Sequence, residues 1–155
     1  MLQSKLKKKM LHLVQNLSDK FALHLNEDPV RPNIPHVDRV GSNKDIFVLR
    51  DEAGKAKAIT CVSYQQTIPT NEAGLFEQAD LPNVAVFYTI WSYKAGAGRQ
   101  LIFDAVKHIR ATKSDIVRFV TLSPKTDTAK KFHLRNGATV HRENTDTVNY
   151  EYLGD

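Results

Sequence analysis

The stretch "YKAGAGRQLIFDAV", Tyr93–Val106, decides how this chain folds. It follows "VAVFYTIW", residues 84–91, an apolar run of the length expected for a buried strand. Four small residues occupy positions 95–98, and apolar side chains then recur at helical spacing. These side chains are Leu101, Ile102, Ala105, Val106 and Ile109. We therefore predict a strand, a tight turn and a helix over about residues 98–112, an arrangement whose helix N-terminus can bind phosphate.

The composition is that of an ordinary globular protein. The chain has 155 residues, of which 41% are hydrophobic and 25% charged. This predicts a single domain over residues 1–155, with a helical part at 1–40, antiparallel strands at 45–91, and the glycine turn, helices and last strands at 92–155. No apolar run approaches the roughly 20 residues of a membrane span, and we identify no signal peptide. We expect a cytoplasmic protein that does not bind membranes.

The charge and the cysteine content bear on nucleic-acid binding, disulfide bonds and metal binding. The formal net charge is +5, and Lys5, Lys7, Lys8 and Lys9 supply part of the excess. We interpret this short run as the solvated face of a first helix rather than a nucleic-acid site, because no aromatic residues are interleaved with it. The single cysteine, Cys61, excludes an internal disulfide and is interpreted as a core residue. We predict no metal site.

The first part of the chain predicts one long helix over residues 2–26. Apolar side chains recur there every three or four positions. They are Leu2, Leu6, Met10, Leu13, Val14, Leu17, Phe21 and Leu25. The segment "NEDPVRPNIPHVD", residues 26–38, contains three prolines. It should end the helix and form an extended connection, which we call the proline-rich connection.

The rest of the chain predicts a mixed α/β fold. Residues 45–65 form two strands joined by a turn near residues 52–55, and residues 66–83 form a long loop with a helical turn. After the helix at 98–112 come a strand in "DIVRFVTLS", a short helix capped by Thr126 or Asp127, and an antiparallel pair in "ATVHRE" and "VNYEYL". Gly137 suits the left-handed position after the short helix. This order does not alternate regularly enough for a doubly wound nucleotide fold.

The glycine turn alone leaves two interpretations open. "GAGRQL" has only the first two glycines of a dinucleotide fingerprint, and no Gly-Lys-Ser/Thr of a P-loop follows. It could be a tight turn without a ligand. It could also be an anion site, because small residues allow close approach to backbone amides while Lys94 and Arg99 flank them with positive charge.

Two segments together resemble the GCN5-related N-acetyltransferases, the GNAT superfamily. "YKAGAG" is similar to the Arg/Gln-x-x-Gly-x-Gly/Ala signature, and "TLSPKTDTAKKFHLRNGA" to the second conserved segment of that family. Ala129, His133 and Gly137 fall on its Ala, Tyr and Gly, and the resemblance covers residues 45–142. The chain departs from the family pattern at four positions. These are Tyr93 for Arg or Gln, Thr126 for Asn, His133 for Tyr and Ala138 for Phe.

The resemblance implies a fold and a cosubstrate. The fold would be a mostly antiparallel mixed sheet with a V-shaped splay between two parallel strands and helices on both faces. The cosubstrate would be acetyl-coenzyme A, with its pyrophosphate at the glycine turn and its pantetheine arm pairing with the preceding strand. The implied binding residues are Val86, Phe87, Tyr88, Lys94, Ala95, Gly96, Ala97, Gly98, Arg99, Thr126 and Ala129. Pro124, which lacks an amide donor, is expected to favour the splay.

The resemblance also implies direct transfer of acetyl to a primary amine. His133 would protonate the leaving thiolate when it is itself protonated. Candidate bases are Glu72, Glu77, Asp80 and His36, while Trp91, Tyr93, Tyr150 and Tyr152 would pack or line a groove. The acceptor stays open between a small molecule and a protein amine, and the protein between monomer and homodimer. The alternatives are a catalytically silent binding or assembly module of the same fold and a small basic nucleic-acid-binding domain.

Overall fold

The computed structural model describes residues 10–153, which form one mixed sheet with helical segments packed against it. Strands β1 to β8 are Leu11–Val14, Lys44–Arg50, Ala56–Gln65, Val84–Ser92, Arg118–Thr121, Ser123–Pro124, Thr139–Glu143 and Thr147–Tyr152. Helix α1 is Ala97–Thr112 and helix α2 is Asp127–Arg135. Three 3₁₀ helices are Lys20–Glu27, His36–Arg39 and Glu72–Leu75.

The sheet runs β1-β2-β3-β4-β5 and then continues through β8. Every neighbouring pair is antiparallel except β4 and β5, which are parallel. Strand β8 pairs with both β5 and β6, and β7 pairs with β8 along its other edge. The predicted hairpin, the strand before the glycine turn, helix α1, the short helix and the final strand pair are confirmed.

Two apolar clusters lie on opposite faces of the sheet. Helix α1 buries its stripe from Leu101 to Ile109 on one face, where Phe132 of α2 also packs. The other face is covered by 3₁₀ segments, through side chains that include Phe21, Leu25 and Leu75. Helical segments therefore lie on both faces, with the α-helices on one and 3₁₀ helices on the other. Within residues 10–153, no helix combines the length and apolar character needed to cross a membrane.

The predicted N-terminal helix is wrong where the structure describes it. Residues 11–14 form β1, paired antiparallel with β2 from Leu11 opposite Leu49 to Val14 opposite Ile46. The first 3₁₀ helix follows, and Asp19 caps it by accepting from the amide of Phe21 at 2.9 Å. Pairing with β2 overrides the helical spacing. The part of the predicted helix over residues 2–9, including the four lysines, lies outside the described residues.

The proline-rich connection is also not extended, because it folds into turns around a buried ion pair. Asp28 and Arg39 approach to 2.7 Å, and both side chains are fully buried. Burial opposes ionisation of Asp28, but hydrogen bonds from the Arg31 amide, Arg39 and Thr89 lower the pKa of its carboxyl overall. The guanidinium of Arg39 also donates to the carbonyls of Arg31 and Ile34. The ion pair therefore shapes the whole connection.

We predict that Arg39→Met destabilises the fold by about 3–5 kcal/mol, because it leaves the carboxylate of Asp28 buried without its counter-charge. Urea unfolding measures the change. The matched control is Lys107→Met, which removes one positive charge from an exposed position of α1 and should change stability by less than about 0.5 kcal/mol. Similar losses in the two variants would contradict a structural role for the pair.

Candidate functional site

The two parallel strands separate part-way along their length. They pair from Val84 opposite Arg118 to Phe87 opposite Thr121, and the amide of Leu122 then donates to the carbonyl of Phe87 at 3.0 Å. Beyond this point β4 pairs only with β3, while Ser123 and Pro124 pair with β8. The predicted splay is confirmed. It begins at Leu122, two residues before Pro124, so the proline is not where the strands part.

A side chain from the proline-rich connection spans the gap where the strands part. Arg31 donates from Nε to the carbonyl of Tyr88 and from Nη2 to the carbonyl of Leu122, both at 2.8 Å. Its Nη1 donates to Glu72 at 2.8 Å. The side chain of Arg31 is only 10% exposed, and its guanidinium satisfies carbonyl groups that strand pairing would otherwise satisfy. Sequence reasoning missed Arg31, because an arginine between prolines resembles any surface-loop residue.

Strand β4 carries a bulge at the same level. Cys61 of β3 lies opposite Thr89, whereas the next residue, Val62, lies opposite Phe87, so Tyr88 has no direct partner in β3. The carbonyls of both Phe87 and Tyr88 accept hydrogen bonds from the β5 side. In a regular strand, the carbonyls of successive residues point to opposite neighbouring strands. Here two successive carbonyls point to the same side, so the bulge turns the backbone at the mouth of the splay.

The splay opens into a cleft of about 210 Å³. One wall is the part of β4 from Phe87 to Ser92, which has no β5 partner beyond Phe87. The other wall is formed by Leu122 to Pro124 and by the start and inner face of α2, and Val30 lies at one side. From α2 and the residues before it, the cleft receives Thr126, Thr128, Ala129, Phe132 and His133. The cleft is mostly apolar and has few polar groups, as is usual for a small-molecule site.

Helix α1 begins beside this cleft without a side-chain cap. Its N-cap residue is Gly96, whose φ of 79° is left-handed and favours glycine. Within residues 10–153, the structure shows no acceptor for the amides of Gly98 and Arg99. Gly98 lines the cleft, and a Cβ atom there would lie 3.1 Å from the ring of Phe132. Free amides at a helix N-terminus favour an anion.

Two cations flank this turn. Lys94 is 61% exposed and lies 3.5 Å from a carboxylate oxygen of Asp51. Arg99 reaches Oδ1 of Asn136 at 3.4 Å and lies over the ring of Phe103. No acidic residue lies in the first turn of α1. The charges therefore complement an anionic group at the helix N-terminus.

Comparison with known proteins gives structural matches only. No protein-family model matches the chain, and no curated protein matches its sequence. Malonyl-CoA decarboxylase from Cupriavidus metallidurans matches with a TM-score of 0.70 and 16% identity, over 94% of this chain and 62% of that one. The GNAT domain of PAT from S. lividans matches with a TM-score of 0.62 and 14% identity, over 92% and 88%. A Bacillus subtilis acetyltransferase in complex with CoA matches with a TM-score of 0.62 and 13% identity, over 93% and 97%.

The chain has the GNAT fold. The acetyltransferase matches cover nearly the whole of both chains. The chain spans 37% to 62% of the length of the malonyl-CoA decarboxylases that it resembles. At these identities the likeness establishes the fold and leaves the activity to be argued from the site.

Placed on the GNAT fold, the predicted binding residues separate into three groups. Phe87, Tyr88, Gly98, Thr126 and Ala129 line the cleft. Those at the glycine turn beside it are Lys94, Ala95, Gly96, Ala97 and Arg99. Val86 does not line the cleft, and it still pairs with Val120 of β5. The free edge of β4 starts at Tyr88, further along the strand than the sequence predicted.

Thr126 has a structural task as well as a place in the cleft wall. Its Oγ1 accepts from the amide of Ala129 at 3.2 Å and so caps α2, as predicted for Thr126 or Asp127. The hydroxyl proton remains able to donate to a ligand. Gly137 follows α2 with φ of 96°, in agreement with its predicted left-handed position.

His133 lines the cleft but is only 4% exposed. Its Nδ1 lies 2.7 Å from the hydroxyl of Tyr152, and its ring stacks on Tyr150 with centroids 5.0 Å apart. Burial lowers the pKa of His133 from 6.5 to about 4, because the charged ring would lose its hydration. The side chain is therefore neutral near pH 7. The predicted proton donation from a protonated His133 does not fit this charge state.

The predicted bases do not line the cleft, and one of them is connected to it. Glu72 is half-exposed and binds Arg31, whose partners Tyr88 and Leu122 are cleft residues. Glu77, Asp80 and His36 have no such link within residues 10–153. Cys61 is buried, and burial raises the pKa of its thiol to about 11, so it is not a nucleophile. No group of three or more His, Cys, Asp or Glu in the described chain could hold a metal ion.

We predict that the buried His133 makes stability depend on pH in a defined window. The unfolded chain binds a proton at His133 below about pH 6.5, whereas the folded chain binds it only near pH 4. The free energy of unfolding should therefore fall by up to about 3 kcal/mol as the pH falls from 6.5 to 4, at ~1.4 kcal/mol per pKa unit. Urea unfolding of the wild type and of His133→Gln measures the difference. Identical pH slopes for the two proteins would show that His133 is not held neutral.

Proposed function

We propose that this chain is an acyl-coenzyme A-dependent acyltransferase that moves an acetyl group directly to a primary amine. One observation carries the proposal: the apolar cleft between two separating parallel strands meets an uncapped helix N-terminus flanked by cations. A long, thin ligand with an anionic middle and an apolar reactive arm matches that shape and charge. Coenzyme A thioesters have this form. The GNAT fold of acetyltransferases supports the same conclusion.

The chain's own groups fit each part of such a ligand. The free amides of Gly98 and Arg99, with the side chains of Lys94 and Arg99, would bind the pyrophosphate. The edge of β4 from Thr89 to Ser92, which has no β5 partner, would offer backbone groups to the amides of the pantetheine arm. Phe132 and Ala129 would pack against that arm from α2. Coenzyme A supplies an acyl group activated as a thioester.

The bulge places backbone donors where charge would develop. An amide of β4 beyond Phe87 that does not bond to β3 would face the cleft, because β5 has already diverged. A fixed amide at this point can donate to the thioester carbonyl oxygen, and such a donor is worth roughly 10²- to 10³-fold in rate. The walls are mostly apolar, and a low local dielectric would strengthen this interaction.

The acceptor would enter on the side of Val30 and Trp91. Trp91 lines the cleft and donates from Nε1 to the hydroxyl of Tyr93, which in turn donates to Glu27. Glu72 is joined to the cleft through its ion pair with Arg31. Glu27 and Glu72 are linked to cleft residues through Tyr93 and Arg31, and such carboxylates would favour an approaching ammonium group. This charge pattern supports an amine as the acceptor, of either small-molecule or protein origin.

We predict that coenzyme A stabilises the protein by about 2.7 kcal/mol at 100 times its dissociation constant. Arg99→Glu should abolish most of this gain, because a carboxylate would then face the pyrophosphate. A thermal or urea unfolding series with and without coenzyme A measures the gain. This substitution is preferable to a side chain at Gly98, whose Cβ would press on Phe132.

The matched control for Arg99→Glu is Lys107→Glu, eight residues further along the exposed side of α1. It makes the same change in net charge away from the helix N-terminus and should keep the full ligand-induced stabilisation. Equal losses in both variants would mean that only overall charge matters. If both variants keep the full ligand-induced stabilisation, coenzyme A does not bind at this turn.

Catalysis is tested by release of coenzyme A from acetyl-CoA against a panel of primary amines. We expect amine-dependent release together with formation of the acetylated amine. The parallel measurement uses malonyl-CoA without an amine, because the decarboxylases share this fold. Loss of carbon dioxide there, without amine acetylation, would replace the proposed activity with decarboxylation. Ligand-induced stabilisation without turnover of either thioester would identify a silent binding module.

A further inference from the structure

Three rings meet at the inner wall of the cleft. His133 of α2 contacts Tyr150 and Tyr152, which lie two residues apart on β8 and therefore on the same face of the sheet. Tyr150 stacks on the imidazole ring at an interplanar angle of 27°, whereas Tyr152 is T-shaped to it at 74°. Only Tyr152 brings its hydroxyl within hydrogen-bond distance of His133, at 2.7 Å from Nδ1. All three residues are at least 95% buried.

The hydrogen bond between His133 and Tyr152 can be formed in two ways. If the hydroxyl of Tyr152 donates, Nδ1 is the acceptor and the ring proton sits on Nε2. If Nδ1 donates instead, the hydroxyl proton of Tyr152 needs another acceptor, and the described residues offer none within bonding distance. A buried hydroxyl without an acceptor is costly. The first arrangement gives a partner to both the hydroxyl of Tyr152 and Nδ1 of His133, and it is therefore favoured.

The other nitrogen of His133 faces the open space of the cleft. Nε2 has no hydrogen-bond partner among residues 10–153, yet it is not among the fully enclosed orphan atoms of the described chain, which are Tyr88 Oη and Asn136 Nδ2. His133 is also one of the residues that line the cleft. An N–H at Nε2 thus lies free at the cleft surface. Burial keeps the ring neutral, so this proton stays in place across the range near pH 7.

We propose that Tyr152 is a positioning residue, whose hydroxyl fixes His133 in the tautomer that presents Nε2–H to the reacting thioester. This inference rests on the proposed function, because it assigns the donor a task in acyl transfer. Nε2–H donates a hydrogen bond to the sulfur as negative charge develops there, and it keeps its proton throughout. His133 thus acts as a fixed donor in place of the proton-releasing acid that its sequence position implies.

The transfer balances without a proton from His133. The amine nitrogen forms a bond to the thioester carbonyl carbon, the carbon–sulfur bond breaks, and its electron pair stays on sulfur. The surplus proton of the nitrogen passes to water. A thiol has a reference pKa near 8.5, so the thiolate is a good leaving group that needs stabilisation more than protonation. It takes up a proton from solvent after it leaves the cleft.

The tautomer is measured directly on the free protein by ¹⁵N NMR of histidine-labelled chains at pH 7. The chain has six histidines, and the His133 signals are those lost in His133→Gln. We expect a protonated Nε2 and an unprotonated Nδ1 in the wild type. A protonated Nδ1 would overturn the proposal, whatever the enzyme assays give, because this measurement needs no ligand and no turnover.

The role in catalysis is tested by Tyr152→Phe against its matched control Tyr150→Phe. Both remove one hydroxyl from the same strand and keep a ring beside His133. Tyr152→Phe should lower kcat roughly tenfold and leave the KM for acetyl-CoA unchanged. This loss is smaller than the roughly 10²- to 10³-fold loss in kcat when a hydrogen-bond donor is removed completely. Tyr150→Phe should stay close to the wild type. Equal kcat values for the two variants overturn the positioning role.

A second pair of variants tests the donor role even if Tyr152→Phe does not fold. His133→Gln retains an amide N–H near the position of Nε2, whereas His133→Leu retains only volume. We expect His133→Gln to keep more activity, and equal activities would overturn the donor role. If the wild type turns over no thioester with any amine, the proposed function fails and the donor role fails with it. The NMR result still decides separately whether Tyr152 fixes the tautomer.

Discussion

The guanidinium of Arg31 sits where two parallel strands stop pairing, and the geometry of the whole cleft depends on that point. Its Nε and Nη2 atoms donate to carbonyls on the two strands, Tyr88 and Leu122, at 2.8 Å each. The planar fork of a guanidinium holds two acceptors at a set separation, which a lysine ammonium cannot do. Arg31 therefore satisfies the carbonyls that the splay exposes and also sets the spacing of the strands at the base of the cleft.

Arg31 can do this only because the segment that carries it is itself held in place. The carboxylate of Asp28 accepts from the amide of Arg31 and from the hydroxyl of Thr89 on β4, while its other oxygen binds Arg39. A buried ion pair gains little net stability over apolar side chains of similar volume, because desolvating both charges is costly. Its contribution here is geometric: it joins the proline-rich connection to the bulged strand and so aims Arg31 at the splay.

The parts of the fold that sequence could predict are those governed by local pattern. The apolar run, the small-residue turn and the spacing from Leu101 to Ile109 each determine structure within a few residues, and they predicted β4, the turn and α1 correctly. The apolar residues at 11–14 are compatible with either a helix or a strand. Their pairing with β2, more than 30 positions away, makes this segment a strand. A sequence pattern does not contain that choice.

The same limit applies to the base of the cleft. Arg31 finds its acceptors 57 and 91 positions further along the chain, so nothing near it in sequence distinguishes it from an exposed loop residue. The prolines around it correctly excluded an α-helix, but they are equally compatible with the turns that form. Sequence could predict the resemblance that places His133 at the cleft, since that rests on spacing. It could not predict the charge of His133, since that rests on burial against β8.

The neutral state of His133 changes what the cleft can do with protons. An imidazolium near pH 7 would be an acid ready to release its proton, whereas a neutral ring with a pKa of about 4 holds its N–H firmly. Such a ring can stabilise developing negative charge but does not titrate between pH 5 and 8. Under the proposed chemistry, the step that depends on pH is then loss of the proton from the attacking amine. Under the same proposal, the groups near that amine would be those where Glu72 and Arg31 meet, rather than those on α2.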